Sequence, residues 1–231
     1  MQRTPLVFLP GLLCDGRLWR DQAEALSDVA APFIADLTQD DSIAAMARRT
    51  LQMAPERFAL AGLSMGGYVA FEIMRQAPQR VTRLALFDTS ANPDEAERIT
   101  QRKAGIASLK LGRFAGVTTR LLPQLVHAAH VAGPIGAELK AMAARVGSEA
   151  FLRQQQAILE RADSRPVLRQ IDVPTLVAVG DGDALTPVAD ALAIHWGIAG
   201  SRFYLFKDCG HLPALEAPTE TSRVLRQWLN F

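Results

Sequence analysis

The sequence predicts an α/β protein: a three-layer sandwich with a mainly parallel sheet of about six strands, helices on both faces, and a helical cap. Three observations predict it. Short apolar runs recur between turn residues, and several lack alternation, as strands buried on both faces should. Amphipathic segments separate most of them, and a strand-helix-strand rhythm argues for parallel strands joined by right-handed crossovers. From about Pro93 to Arg165 the rhythm stops, and only helical patterns appear.

Taken in order, the strand runs are "PLVFLP" (5–10), "APFIADL" (31–37), "RFALAGLS" (57–64), "TRLALFDTS" (82–90), "VPTLVAVGD" (173–181) and "SRFYLF" (201–206). The helical segments between them include Arg17–Leu26, Ser42–Met53, Tyr68–Gln76 and Val188–His195. A stretch as long as 93–165 is not a simple connection. Its breaks at "GRFAGV", "LLPQL" and "AGPIG" divide it into short helices, read as a cap over the carboxyl edge of the sheet. The expected organisation is a core of residues 1–92 and 166–231 with residues 93–165 inserted as a lid. Ligands of such sheets bind beyond the carboxyl ends of the strands.

The composition narrows the function classes. Of 231 residues, 49% are hydrophobic and 21% charged, and the formal net charge is +1, which gives no general attraction for nucleic acid or an anionic membrane. Cys14 and Cys209 are too few for a disulfide scaffold and too far apart for a local metal knuckle. The first apolar run is broken early by Pro10 and Gly11, so neither a signal peptide nor a spanning segment is expected. These features predict a cytoplasmic protein. A monomer or weak homodimer, acting on a small molecule and needing neither nucleic acid nor membrane, is expected.

The chemistry centres on "GLSMGG", at the junction of the third strand and the helix after it. Gly62-Leu63-Ser64-Met65-Gly66 fits G-x-S-x-G, in which a serine occupies a sharp, strained turn. Glycines two positions before and after it remove the Cβ atoms that would collide. The turn aims the hydroxyl at a helix start, where free N–H groups and the positive end of the dipole lie. The N–H of Met65 is thereby placed to bind an oxyanion.

A serine hydroxyl needs a base. Of four histidines, His127 and His130 lie in the cap without a carboxylate or cysteine companion, and His195 lies in a helical run. His211, in "FKDCGHLPALEAP" after the last strand, is where a catalytic imidazole belongs. The acid that orients it comes from "VAVGDGDALTP": Asp183 stands well out on the loop, with Asp181 an alternative and Asp88, in "LFDTS", a third. A second oxyanion donor is expected from "LPGLLCDGRLW", where Gly11 lets the backbone approach Ser64 and the N–H of Leu12 points inward, with Leu13 adjacent. No metal or organic cofactor is called for. Cys14 and Cys209 are read as pocket lining, and the apolar residues of the 93–165 stretch, including Leu109, Phe114, Leu121, Leu122 and Phe151, suggest an uncharged acyl pocket.

With these four motifs in order, the chain resembles the α/β-hydrolase superfamily over essentially its whole length. It looks closest to the capped small carboxylesterases of the pimeloyl-carrier-protein methyl esterase type. The resemblance implies hydrolysis of a small carboxylic ester, thioester or lactone through an acyl-enzyme. It supports Asp183, because the family's acid stands three residues after the glycine and shortly before a proline. It also leaves two alternatives: carbon–carbon hydrolase, lyase or peroxidase chemistry on the same triad, or a non-catalytic receptor. Pro10-Gly11 departs from the family's common His-Gly. The chain also begins at the strand that is usually third, which implies six strands in place of eight.

Overall fold

The computed structural model describes residues 3–112 and 114–230. The sheet contains β1 (Thr4–Leu9), β2 (Ala30–Ile34), β3 (Phe58–Leu63), β4 (Val81–Phe87), β5 (Thr175–Gly180) and β6 (Arg202–Phe206). Their spatial order is β2-β1-β3-β4-β5-β6, and every neighbouring pair is parallel. The six-stranded α/β architecture therefore matches the sequence expectation.

Both faces are covered, as the unalternating runs require. Successive side chains of a strand point to opposite faces. Val7, Leu9, Leu60, Leu84, Leu86, Val177 and Val179 pack with α2 (Ile43–Met53), α3 (Met65–Gln76), α7 (Arg165–Leu168) and α8 (Val188–Gly197). Their neighbours Leu6, Phe8, Ala59, Ala61, Ala85, Phe87, Leu176 and Ala178 pack with α1 (Arg17–Ala25), α9 (Pro213–Glu216) and α10 (Pro218–Leu229). The edge strands differ: β2 and β6 are largely half-buried, and Pro32 is tolerated because β2 has a free edge.

Strand ends were the least legible part of the sequence. β2 stops at Ile34 and β4 at Phe87, short of the predicted runs, because the backbone turns away towards the carboxyl edge. At Asp88, φ is +43°. Conversely, α3 begins at Met65, three residues before the predicted Tyr68, so the serine directly adjoins the helix.

Between β4 and β5 the chain forms α4 (Ala96–Lys110), α5 (Leu122–Leu125), a 3-10 turn at Ala128–His130, α6 (Pro134–Leu159) and α7. Gly147 (φ 76°, ψ 176°) breaks α6 within a pattern that reads as continuous in sequence. The segment leaves and returns at one point, where Ser164 N–H donates to the Ala91 carbonyl (3.0 Å). There the half-buried Asp94 accepts from Arg102 (2.6 Å) and Arg161 (2.8 Å). No helix among the described residues is long and apolar enough to cross a membrane.

Trp19 closes the α1 side of the core. It is fully buried, stacks on Phe8 (4.7 Å between centroids), meets Phe87 edge-on (5.5 Å) and donates its indole N–H to the Leu9 carbonyl (3.1 Å). Trp19→Ala should lower the unfolding free energy by about 3–5 kcal/mol. Urea titration should show this as a lower midpoint at unchanged slope.

Candidate active site

Because the strands are parallel and in register, their carboxyl ends share one edge. Leu63 pairs with Phe87, Phe87 with Ala178, and Gly180 with Phe206. The ladder runs one residue further, since Ser64 N–H donates to Phe87 O, Asp88 N–H to Ala178 O, and Asp181 N–H to Phe206 O. The four non-glycine residues with positive φ among those described are Leu13, Ser64, Asp88 and Asp208, all in loops on this edge. Such strain gathers where surrounding structure holds a site in shape.

Ser64 has φ 55° and ψ −116° between β3 and α3. Two glycines make this turn possible by close approach. A Cβ on Gly62 would stand 2.5 Å from the Gly66 carbonyl oxygen, and one on Gly66 would stand 2.1 Å from that of Leu9. The Ser64 carbonyl accepts from Gly67 N–H (2.8 Å) and Thr89 Oγ1 (2.8 Å), which fixes the turn from inside. Met65 is the first residue of α3, so its N–H is one of the donors that the helix cannot satisfy itself.

His211 and Asp183 are brought together. His211 Nδ1 lies 2.8 Å from Asp183 Oδ2, and both residues are nearly excluded from solvent, at 3% and 5% exposure. Asp183 also accepts from the N–H groups of Leu185 (2.8 Å) and Thr186 (3.0 Å) and from Thr186 Oγ1 (2.7 Å). Burial opposes its ionisation, but the facing imidazole and these hydrogen bonds outweigh that and hold the carboxyl below the usual range. Asp181, the alternative, is exposed, and its carboxylate faces Lys207 and the Cys209 N–H instead. Asp88, the third candidate, is fully buried beside the pair.

Ser64, His211, Leu12, Leu13 and Cys14 line one cavity of about 350 Å³. The rest of its wall comes largely from α4, α5, α6 and the chain between them. Leu121, Leu125, Phe151 and Ile158 make it apolar, while Arg98, Gln101, Arg102, Gln124 and Gln155 make it polar. A purely uncharged lining, as read from the apolar residues of this segment, therefore needs correction. Leu121 and Phe151 do reach the cavity, but Leu122 is buried in the core, and two guanidinium groups share the wall.

The loop after β1 is held by a residue that the sequence did not single out. Gln154 of α6 is fully buried; its Oε1 accepts from Leu13 N–H (3.1 Å) and its Nε2 donates to the Leu37 carbonyl (3.1 Å). The Leu13 N–H is thus occupied, whereas that of Leu12 has no partner among the described residues. Glu216 was missed too. Its carboxylate takes the N–H groups of His127 (2.7 Å), Gly210 (3.0 Å) and Leu212 (3.0 Å), bracing both sides of His211. A glutamate one turn into a helix that starts at Pro213 was the available signal.

The remaining candidates fall away from the cavity chemistry. His127 caps the 3-10 turn, and His195 in the last turn of α8 pairs with Ser201 Oγ (2.7 Å). Burial pushes the Cys14 thiol up to about 12 and that of Cys209 higher still, so both remain protonated. Asp88, Asp183 and His211 are the described cluster with metal-ligand character. The ring nitrogen on that side is already bonded to Asp183, so the cluster is a hydrogen-bonded one.

A model of the Alpha/beta hydrolase family matches residues 6–224. The chain belongs to the alpha/beta hydrolase family. Within this family, it is 32% identical over 163 residues to a pimeloyl-[acyl-carrier protein] methyl ester esterase of Neisseria meningitidis serogroup C, a match covering 67% of this chain and 62% of that protein. The chain thus spans less than two thirds of that relative. A protein of the same name from Nitrosomonas europaea is 28% identical over 233 residues, covering 93% of this chain and 91% of the other. Among solved structures, a thermophilic esterase from Thermogutta terrifontis superposes with a TM-score of 0.87 at 27% identity, covering 98% of this chain and 89% of its own.

Gly66→Ala tests the hydrolase turn directly. The added methyl meets the Leu9 carbonyl, so the variant should lose at least about 1–3 kcal/mol of stability. Thermal unfolding followed by circular dichroism measures it, and a change in Tm close to zero contradicts the close approach.

Proposed function

We propose that this hydrolase cleaves a small carboxylic ester, or a related thioester or lactone, through an acyl-enzyme on Ser64. One observation carries the reading: the strained Ser64 and the Asp183-bonded His211 face one cavity. The relatives named as esterases support the same reading.

In this mechanism His211 takes the Ser64 proton as the hydroxyl attacks the substrate carbonyl. Asp183 holds the Nδ1–H tautomer and stabilises the imidazolium that forms. The N–H groups of Met65 and Leu12 receive the oxyanion, an interaction worth about 3–4 kcal/mol where one such donor has been removed from a hydrolase. His211 then returns the proton to the leaving alkoxide. Water, activated by the same ring, releases the acid. The reaction needs no cofactor.

Residues 93–165 serve as a lid on the core of residues 1–92 and 166–231, since they provide much of the cavity wall. The apolar wall suits an acyl chain. Arg102 is already paired with Asp94, whereas Arg98, which donates to the Leu185 carbonyl, suits an acceptor or carboxylate on the substrate. The protein is read as a monomer or weak homodimer that needs neither nucleic acid nor membrane. Its two buried free thiols fit a reducing cytoplasm.

Two outcomes are expected. Ser64→Ala should cut p-nitrophenyl butyrate turnover by about three orders of magnitude or more and abolish fluorophosphonate labelling, with the circular dichroism spectrum unchanged. Turnover equal to the wild type sinks the mechanism. Among methyl esters of matched length, half-esters of dicarboxylic acids should show a lower KM than their neutral diesters. Arg98→Met should narrow that gap, and equal KM values for both series would remove the cationic wall from substrate recognition.

A further inference from the structure

Behind His211 lies a carboxyl group that the mechanism above leaves idle. Asp88 directly follows β4, is 0% exposed and is held at positive φ. Its Oδ1 accepts the Gly180 N–H (2.9 Å), whereas Oδ2 is buried with no hydrogen-bond partner among the described residues. One ligand atom from each of Asp88, Asp183 and His211 lies within 4.8 Å of the other two.

Two carboxyl groups this close, and away from water, cannot both be ionised. The donors around them decide which one keeps the proton. Asp183 accepts four hydrogen bonds, from Leu185 N–H, Thr186 N–H, Thr186 Oγ1 and the His211 ring. Asp88 accepts the one from Gly180. The negative charge therefore settles on Asp183 and the proton on Asp88.

We propose that Asp88 is a positioning residue that remains a neutral carboxylic acid and directs its Oδ2 proton at the Asp183 carboxylate, holding it against the His211 ring. The role rests on the reading of Asp183 and His211 as partners of Ser64. Burial, and then the charge of Asp183, push the Asp88 carboxyl well above the usual carboxylate range. The titratable groups facing it are Asp183 from the loop after β5, Cys209 and His211 from the loop after β6, and Glu216 of α9. Glu216 adds to the upward push, and Cys209 is a protonated thiol.

This arrangement has a signature that needs no turnover. Above the ordinary carboxyl range the unfolded chain releases the Asp88 proton while the folded chain keeps it, so this residue's contribution to stability declines as pH rises. Asp88→Asn removes that dependence and supplies an amide that accepts and donates in the same places. Its Tm relative to the wild type should therefore increase between about pH 4 and pH 7. A difference that stays flat means that Asp88 ionises as freely when folded as when unfolded, and overturns the proposal.

Kinetics supply the second arm. Asp88→Ala, or the near-isosteric Asp88→Leu if the alanine variant does not fold, should lose about tenfold or more in kcat with little change in KM. Asp88→Asn should recover most of the loss, because a neutral donor suffices. An asparagine variant as impaired as the alanine one, or an unimpaired alanine variant, overturns the role. Should the wild type hydrolyse no ester, that result counts against the function proposed above, and the thermal arm still decides whether Asp88 keeps its proton.

Discussion

The first turn of α3 lies against the carboxyl end of β1 with no side chain between them. At Gly66 the gap to the Leu9 carbonyl is too small for a methyl group, and at Gly62 the gap to Gly66 is equally closed. This contact gives Ser64 its positive φ and places a helix start directly behind its hydroxyl. The same Leu9 carbonyl accepts the Trp19 indole N–H, so the elbow and the α1 side of the core meet at one peptide group. Backbone pressed on backbone relaxes little, which keeps the Ser64 turn rigid.

Around that turn the site is assembled from four strand ends, and second partners hold each piece. Thr89 fixes the Ser64 carbonyl, Gln154 fixes the Leu13 N–H, Thr186 fixes Asp183, and Glu216 fixes the backbone on both sides of His211. Two of these ties cross to the inserted helices: Gln154 belongs to α6, and Glu216 also binds the His127 N–H. The helices over the cavity are therefore bonded to the loop after β1 and to the His211 loop. Shape in the cavity and geometry at the serine are mechanically linked through a few buried hydrogen bonds.

The electrostatics follow from burial. Two acidic groups share a dry pocket with one imidazole, and the number of donors around each separates their protonation states. The charge that supports His211 is thereby confined to Asp183. Arg98 and Arg102 bring charge of the opposite sign to the cavity wall, Arg98 against the Leu185 carbonyl and Arg102 against Asp94. A ligand in this cavity would meet an apolar wall that also carries guanidinium groups.

Much of this was legible in the chain itself. Unalternating apolar runs foretold strands buried on both faces, and "GLSMGG" foretold the elbow, because only glycine fits such a close approach. Parallel order then required Ser64, Asp183 and His211 to lie on one edge, whatever the details. Local sequence could not separate Asp183 from Asp181 and Asp88, all near strand ends, because the choice depends on which carboxylate meets the ring. Nor could it find Gln154, a polar residue in a helical pattern whose partners are Leu13 and Leu37, more than a hundred positions away. The sequence by itself determined the layers, the strand count and the tight Ser64 turn, which follow from periodicity and local sterics. The tertiary structure alone decided which carboxylate meets the His211 ring, which residues brace the loops and which side chains line the cavity, because those are set by distances between segments that the chain brings together only on folding.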